Sequence, residues 1–353
     1  MLQTSFFAWL LTATFLLLSG LTGCGRESPV IYSWSLQSQA VKTSIDYQEL
    51  ESFCQSVLLM SGGRLEITPH PGGELTDGPD IFRAVSEGRI QMGNGWPNWW
   101  SGQHDAWSVL DSGPFGFMNL DASMMFFYVG AGTDIANELS LPQGVMWRPA
   151  WWAGMELGLL SREPIRGLDD LRGKKVRIGP GLPSEVLASA SGAYTIPLVP
   201  EEIKLALESK DLDAVEWTTP SGALSLGIDS LVSYALTPAV WQPSVLSDFL
   251  INQQAYEQLP KDLREILEVG MRSFALTTTF KSKVADFDAL TKLQQQGIAF
   301  ARWSEEDLKR WRIHYNKVLL SYRERSEISD RLIREKQRFK EDFNQYYQWF
   351  GPY

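Results

Sequence analysis

Few residues in this chain have both the type and the setting to do chemistry, and most that look suitable fail on spacing. Gly179-Pro180-Gly181 follows a predicted strand as a phosphate loop would. Pro180, however, lacks the backbone N–H that such a loop aims at phosphate, and no Gly-Lys-Ser follows. His70, His104 and His314, the three histidines, sit in unrelated contexts without the i, i+4 spacing of a zinc-binding helix. Between Gly222 and Gly227, Ser225 misses the Gly-x-Ser-x-Gly elbow by one position, so no hydrolase nucleophile is evident. Cys54 shares a helical face with Leu50, Val57 and Leu58, the setting of a small buried hydrophobe rather than a reactive thiol. What remains is Arg177, Glu216 and Trp217 at the ends of predicted strands, where open α/β sheets bind their ligands.

Tryptophan is the compositional oddity. The chain has 14, grouped at Trp96, Trp99 and Trp100, at Trp147, Trp151 and Trp152, and at Trp217 and Trp241. Core packing accounts for any one of them. Each group also falls in a predicted loop or at a strand end, where a cleft between two lobes would be lined, and this predicts a ligand pocket with aromatic walls.

The elements that must carry these residues are those of a two-lobed α/β protein. At 353 residues the chain exceeds what one core usually organises. Its 44% hydrophobic and 21% charged residues are ordinary globular composition. Lys and Arg total 32 against 42 Asp and Glu; the net charge of −10 has the wrong sign for a nucleic-acid partner. An anionic ligand then needs a local cationic anchor set against the global field.

Apolar spacing predicts a helix over Asp46–Met60, a strand over Arg64–Thr68, a helix over Asp80–Glu87 and a strand over Ile90–Gly93. An aromatic, glycine-rich loop from Gly93 to Gly102 follows. Later, a strand over Lys174–Ile178, a helix over Pro200–Glu208 and strands ending at Trp217 and Asn252 repeat the alternation. From Ser304, with Asp307 completing a variant capping box, nearly fifty residues read as long helices rich in charge and aromatics. At the other end, the first 24 residues carry no charge, and Phe6 to Leu18 is an apolar run too short to span a membrane. This is export-signal composition over residues 1–23, ending in Leu21-Thr22-Gly23-Cys24. That tetrad resembles a bacterial lipobox, which predicts lipidation at Cys24 and a periplasmic, membrane-anchored protein.

Three ordered stretches resemble a known family. They are Gly167-Leu168-Asp169-Asp170-Leu171-Arg172-Gly173-Lys174-Lys175-Val176-Arg177, then Pro200-Glu201-Glu202-Ile203, then Leu212-Asp213-Ala214-Val215-Glu216-Trp217. With Ser61-Gly62-Gly63-Arg64-Leu65, Gly72-Gly73-Glu74-Leu75 and Ser112-Gly113-Pro114-Phe115-Gly116 they are similar to the solute-binding proteins of tripartite ATP-independent periplasmic (TRAP) transporters. The Asp-Ala-x-Glu-Trp form and the long helical tail resemble the subgroup that binds 2-oxo and 2-hydroxy monocarboxylates, such as pyruvate or lactate, through a metal ion.

The resemblance implies a receptor and not an enzyme, with lobe I over residues 30–150, lobe II over 151–241, a return segment over 242–303 and a dimerisation tail over 304–353. It places the carboxylate-binding arginine on Arg177 and the metal on the Glu216 side chain, the Trp217 carbonyl and Glu156. The subgroup has glutamine where Glu156 stands and often glutamate where Gln242 stands, an exchange that moves one carboxylate. Oxygen donors of this kind suit calcium, with sodium the alternative. Trp34, Asn98, Trp99, Trp241 and Gln242 are the remaining candidates for the substrate wall. The implied partners are a small organic acid anion, the membrane permease subunits and a second copy of the chain that exchanges the tail helix. The tail could instead fold over its own lobes. A rival reading is a secreted carbohydrate-active enzyme with tryptophan platforms and Glu156 and Glu216 as paired carboxylates.

Overall fold

The computed structural model describes residues 30–351 except 112 and 244; the predicted export signal and Cys24 lie outside the described residues. The chain opens with β1 (Tyr32–Ser38), β2 (Leu65–His70), β3 (Met92–Gly95) and β4 (Val145–Gly154). With β10 (Val245–Asn252), these strands form a five-stranded sheet in the order β2-β1-β3-β10-β4. β1 runs parallel to β2 and β3, whereas β10 runs antiparallel to its neighbours β3 and β4. The Ile45–Met60 helix covers this sheet, its N-terminus capped by the Ser44 hydroxyl, which accepts from the Tyr47 N–H. Leu50, Phe53, Cys54 and Val57 are its buried face, and burial pushes the Cys54 thiol up, as the sequence predicts for an inert cysteine.

The second sheet takes β5 (Leu159–Ser161), β6 (Lys175–Arg177), β7 (Tyr194–Ile196), β8 (Ala214–Glu216), β9 (Tyr234–Thr237) and β11 (Ala299–Arg302), in the order β11-β9-β5-β8-β6-β7. The architecture is therefore α/β in two lobes. The chain crosses between them after β4 and again between β9 and β10. Where the crossovers pass, Gly158 has φ +131°, and a Cβ there would overlap the Leu236 carbonyl oxygen, so glycine is required.

One element absent from the sequence expectations ties the lobes together: a 35-residue helix, Lys261–Gln295. Leu263, Leu267, Met271 and Phe274 bury against the first lobe, and Leu293 against the second. Buried Asp286 accepts from both the N–H (3.0 Å) and the hydroxyl (2.6 Å) of Ser221, at the start of the second-lobe helix Pro220–Leu226, and pairs with Lys283 at 2.9 Å.

Two expectations about aromatics change. Trp147, Trp151 and Trp152 lie within β4, not in a loop, and all three are buried. Alternation fails over residues 149–154 because both faces there are covered, leaving a continuous buried run. In the tail, helices Glu305–Arg325 and Glu327–Phe350 fold back over the chain's own lobes. The capping box forms as expected: the Ser304 hydroxyl accepts from the Asp307 N–H and donates to its carboxylate. Trp303, Trp311 and Phe343 are buried, while Tyr315, Phe339 and Tyr347 pack against the same core. Among the tail's described residues, the exposed large aromatics are confined to the last turns, with Trp349 at 80% and Phe350 at 70% exposure.

Trp311 packs on Trp241 at a 32° tilt with ring centroids 5.5 Å apart and meets Trp303 edge-on at 5.6 Å. A tail that served only as a handle for another subunit would contribute little to the protomer's stability. Trp311→Ala should instead lower unfolding stability by about 3–5 kcal/mol, the usual cost of emptying a buried tryptophan site. Equilibrium denaturation of the variant checks it, and a loss under about 1 kcal/mol would contradict the packing described.

Candidate functional site

The carboxyl ends of β6 and β8 face the loop that follows β3 across a narrow cleft. Lining it are Trp96, Asn98, Trp99, Glu156, Arg177, Gly179, Glu216, Trp217, Thr218, Gln242 and Val245 around about 40 Å³ of space. That is little more than one water's share of liquid volume. The lobes are closed. Asn98 latches them, its Nδ2 donating to the Pro180 carbonyl at 3.1 Å across the cleft. Gly179 admits this approach, because a Cβ there would stand 2.9 Å from the same nitrogen.

Arg177 is 3% exposed and held from two sides. Its Nε donates to the Leu198 carbonyl at 3.0 Å; Nη1 donates at 2.7 Å to both the Glu216 carbonyl and the Glu216 Oε2. The guanidinium carbon lies 5.1 Å from the Trp217 ring centroid, and the Gly179 N–H also reaches Glu216 Oε2, at 3.3 Å. Burial pulls the guanidinium pKa down, and the charges of Glu216 and Glu156 act against that. Nε and Nη1 are thus committed to protein acceptors. A bidentate grip on a carboxylate requires Nη1 to leave Glu216.

Glu156, on the crossover after β4, is 6% exposed, and its Oε2 is buried without a hydrogen-bond partner. Its pKa stands well above the ordinary carboxyl value, first through burial, then through the neighbouring Glu216 charge and a hydrogen bond with the Glu216 side chain that favours the protonated form; Arg177 lowers it, and Asp111 raises it further. One guanidinium therefore serves two buried carboxylates. Such a pair needs either a proton or a cation, and an orphaned carboxylate oxygen is the donor a hard cation takes. Among the described residues no group of three or more His, Cys, Asp or Glu is arranged to hold a metal. The residues fit a cation only if Glu156 and Glu216 are joined by neutral oxygens, from the Trp217 carbonyl or Gln242, and by oxygens of the ligand itself.

Seven of the residues expected from sequence thus meet at one cleft: Asn98, Trp99, Glu156, Arg177, Glu216, Trp217 and Gln242. Two do not. Trp34 faces the helix-covered side of the first sheet and is 5% exposed in its core. Trp241 is fully buried on the tail tryptophans, so at Trp241-Gln242 only the second residue turns to the cleft. Trp96, one of the tryptophans from which an aromatic wall is expected, lines the cleft and meets Trp151 edge-on at 5.7 Å. Thr218 is a wall residue that the sequence does not single out. Thr218 has φ +29°, rare for a non-glycine residue and common at binding sites, a signal carried by the backbone and not by residue type.

The sequence profile of the DctP family, bacterial extracellular solute-binding protein family 7, matches residues 37–325. The chain belongs to this family. Its members are extracytoplasmic receptors of transporters rather than enzymes, which removes the carbohydrate-active alternative, and no described helix is long and apolar enough to cross a membrane. A monocarboxylate 2-oxoacid-binding periplasmic protein of Nostoc is 29% identical over 273 residues, 77% of this chain and 74% of the relative. Among solved structures, a TRAP periplasmic solute-binding protein from Pseudoalteromonas atlantica with bound sodium and pyruvate superposes with TM-score 0.85 and 26% identity, over 90% of this chain and 97% of that one. One from Colwellia psychrerythraea with calcium and pyruvate gives 0.84 and 26%, over 90% and 96%. One from Bordetella bronchiseptica, a dimer of mixed occupancy with copurified calcium and picolinate, gives 0.86 at 23% identity, over 91% and 95%, which carries the fold alone.

The ion pair itself is testable without a ligand. Removing the guanidinium leaves Glu216 buried and uncompensated beside Glu156, so Arg177→Gln should destabilise the protein by about 3–5 kcal/mol. Arg177→Gln combined with Glu216→Gln should recover much of that loss. A denaturant double-mutant cycle measures the coupling, and additivity within about 0.5 kcal/mol would show that the pair is not formed.

Proposed function

We propose that the protein is the substrate receptor of a TRAP transporter, capturing a 2-oxo or 2-hydroxy monocarboxylate together with a cation and handing it to the membrane permease subunits. The observation that carries this reading is the buried triad in the cleft: Arg177 shared between Glu216 and Glu156, with Glu156 Oε2 lacking a partner. An organic anion entering this cleft alone would meet two carboxylates and one arginine already engaged by one of them. Glu156, Glu216 and the Trp217 carbonyl would hold a cation, whose charge would offset the two carboxylates, and Arg177, whose Nη1 serves Glu216, would supply the guanidinium for the substrate carboxylate. A second oxygen on the adjacent carbon would give the acid another donor for that cation, which is why a 2-oxo or 2-hydroxy acid fits better than a simple carboxylate. The calcium and sodium complexes of pyruvate in similar proteins support the class.

Two carboxylates favour calcium over sodium, since divalent charge matches them and calcium accepts six to eight oxygens. Asn98 and Trp99 reach from the first lobe, so the ligand touches both lobes and biases closure. We also assign the lipid anchor to Cys24, and a homodimer to the surface carrying the exposed aromatics near the end of the tail.

Calorimetric titration of refolded, ligand-free protein with pyruvate tests the reading. With calcium present the acid should bind; in chelator and sodium-free buffer its affinity should fall at least about tenfold. Arg177→Lys should weaken calcium-supported binding by about 2–5 kcal/mol, since lysine offers a point charge where a planar fork is needed. Undiminished binding in chelator removes the cation from the site, and a variant within about threefold of the wild type removes Arg177 as anchor.

A further inference from the structure

Asn98 and Trp99 reach the cleft on a single 3₁₀ turn, Pro97–Trp100, that follows β3. The turn closes through the Trp99 N–H on the Trp96 carbonyl at 3.0 Å, the Ser101 N–H on the Asn98 carbonyl at 3.4 Å and the Gln103 N–H on the Trp100 carbonyl at 2.8 Å. One turn of 3₁₀ helix with bonds this local does not hold its own position. Whatever lies beneath it must do so.

The last residue of the turn points inward. The buried Trp100 indole folds back over Gly95, where a Cβ would stand 2.8 Å from Cζ2, so the strand before the turn has to end in glycine. Trp100 Nε1 donates at 2.8 Å to Oδ2 of Asp248, which lies opposite Gly95 on β10. The same oxygen accepts from Trp147 Nε1 of β4 at 2.7 Å. Asp248 is fully buried, and its Oδ1 has no hydrogen-bond partner. Burial pushes the carboxyl up to about 7; the two indole donors oppose this, and the charge of Asp111 adds to it. A carboxylate held by two neutral donors is costly to bury, and an apolar residue would fill the position at less cost.

The start of the turn rests on the same strand. Asn94 Nδ2 donates to the Ser247 hydroxyl at 3.0 Å and to the Asp248 carbonyl at 2.9 Å, while the Ser247 hydroxyl donates to the Gly95 carbonyl at 2.8 Å. Both ends of the segment from Asn94 to Trp100 are therefore seated on β10, at Ser247 and Asp248.

We infer that Asp248 is a positioning residue for the cleft: by holding the Trp100 indole it sets where Asn98 and Trp99 stand, and so the affinity for the ligand, without touching the ligand. The inference takes its ligand from the function proposed above. A carboxylate that served only the core would depend on its two indoles alike. A positioning carboxylate does not, because only Trp100 belongs to the turn that carries Asn98 and Trp99.

Matched variants test this. Trp100→Phe and Trp147→Phe each remove one indole N–H from the same oxygen and leave a ring in the core, so both should lower the thermal midpoint. In calorimetry with pyruvate and calcium, Trp100→Phe should weaken binding at least about tenfold and Trp147→Phe by no more than about threefold. Asp248→Asn keeps an acceptor oxygen for both indoles and should bind within about threefold of the wild type, whereas Asp248→Ala should fall with Trp100→Phe. The tryptophan pair carries the test if Asp248→Ala does not fold. Amide hydrogen exchange on ligand-free protein gives a readout that needs no solute: Trp100→Phe should speed exchange at Trp99, Ser101 and Gln103 at least about tenfold, and Trp147→Phe should leave it as it was. Equal losses of affinity in the two tryptophan variants, Asp248→Asn falling as far as Asp248→Ala, or unchanged exchange in Trp100→Phe overturns the inference. A wild type that binds no pyruvate overturns the proposed function instead, and the exchange comparison then decides the role of Asp248.

Discussion

A single guanidinium shared by two buried carboxylates governs what this cleft can hold. Arg177, Glu216 and Glu156 each expose 6% of their surface or less, so water screens none of them well. An ion pair removed from water recovers its desolvation cost only with near-complete hydrogen bonding. Arg177 and Glu216 come close to that, through Leu198, Gly179 and the Glu216 main chain. Glu156 does not: its Oε2 has no donor, and burial together with the Glu216 charge pushes its pKa up. The closed lobes thus contain a charge imbalance that the protein's own residues leave unresolved. In the proposed function the cation resolves it, and its binding and the acid's become mutually dependent.

The fold brings these three residues together from three places. Arg177 and Glu216 end neighbouring strands of the second sheet, β6 and β8, which pair in parallel so that both side chains emerge at one edge. Glu156 rides on the crossover that leaves the first sheet after β4. Asn98 and Trp99 come from the loop after β3 and close the cleft from the first lobe. Their relative position depends on the lobes' relative position, which the Lys261–Gln295 helix spans. The Asp286 grip on Ser221 fastens that helix to the second lobe close to Trp217 and Thr218. A movement of the long helix therefore reaches the cleft through two hydrogen bonds and one turn of chain.

Much of the site was legible in sequence because its residues stand at strand ends, where local periodicity and turn chemistry locate them. Arg177 closes an apolar strand, and Glu216 ends another; both positions follow from short-range pattern. The tryptophans were harder to read, since an indole is as suited to a core as to a ligand wall. Trp96 and Trp99 line the cleft, whereas Trp100, Trp147 and Trp152 are core, and nothing local separates them. Trp34 and Trp241 failed as candidates for the same reason. The long helix escaped notice because its buried side serves two lobes in turn, so no single stripe runs its length. Its polar grip, Asp286 on Ser221, joins residues 65 positions apart and has no sequence signature.

The central claim is that cation and acid occupy the cleft as a unit. Native mass spectrometry of the intact protein, after exposure to calcium and pyruvate and gentle desolvation, tests it most directly. The account predicts one dominant bound species whose added mass is one calcium ion plus one acid, with acid-only adducts scarce and lost together with the metal when chelator is added. A dominant species carrying the acid without any metal, unchanged by chelator, would contradict it.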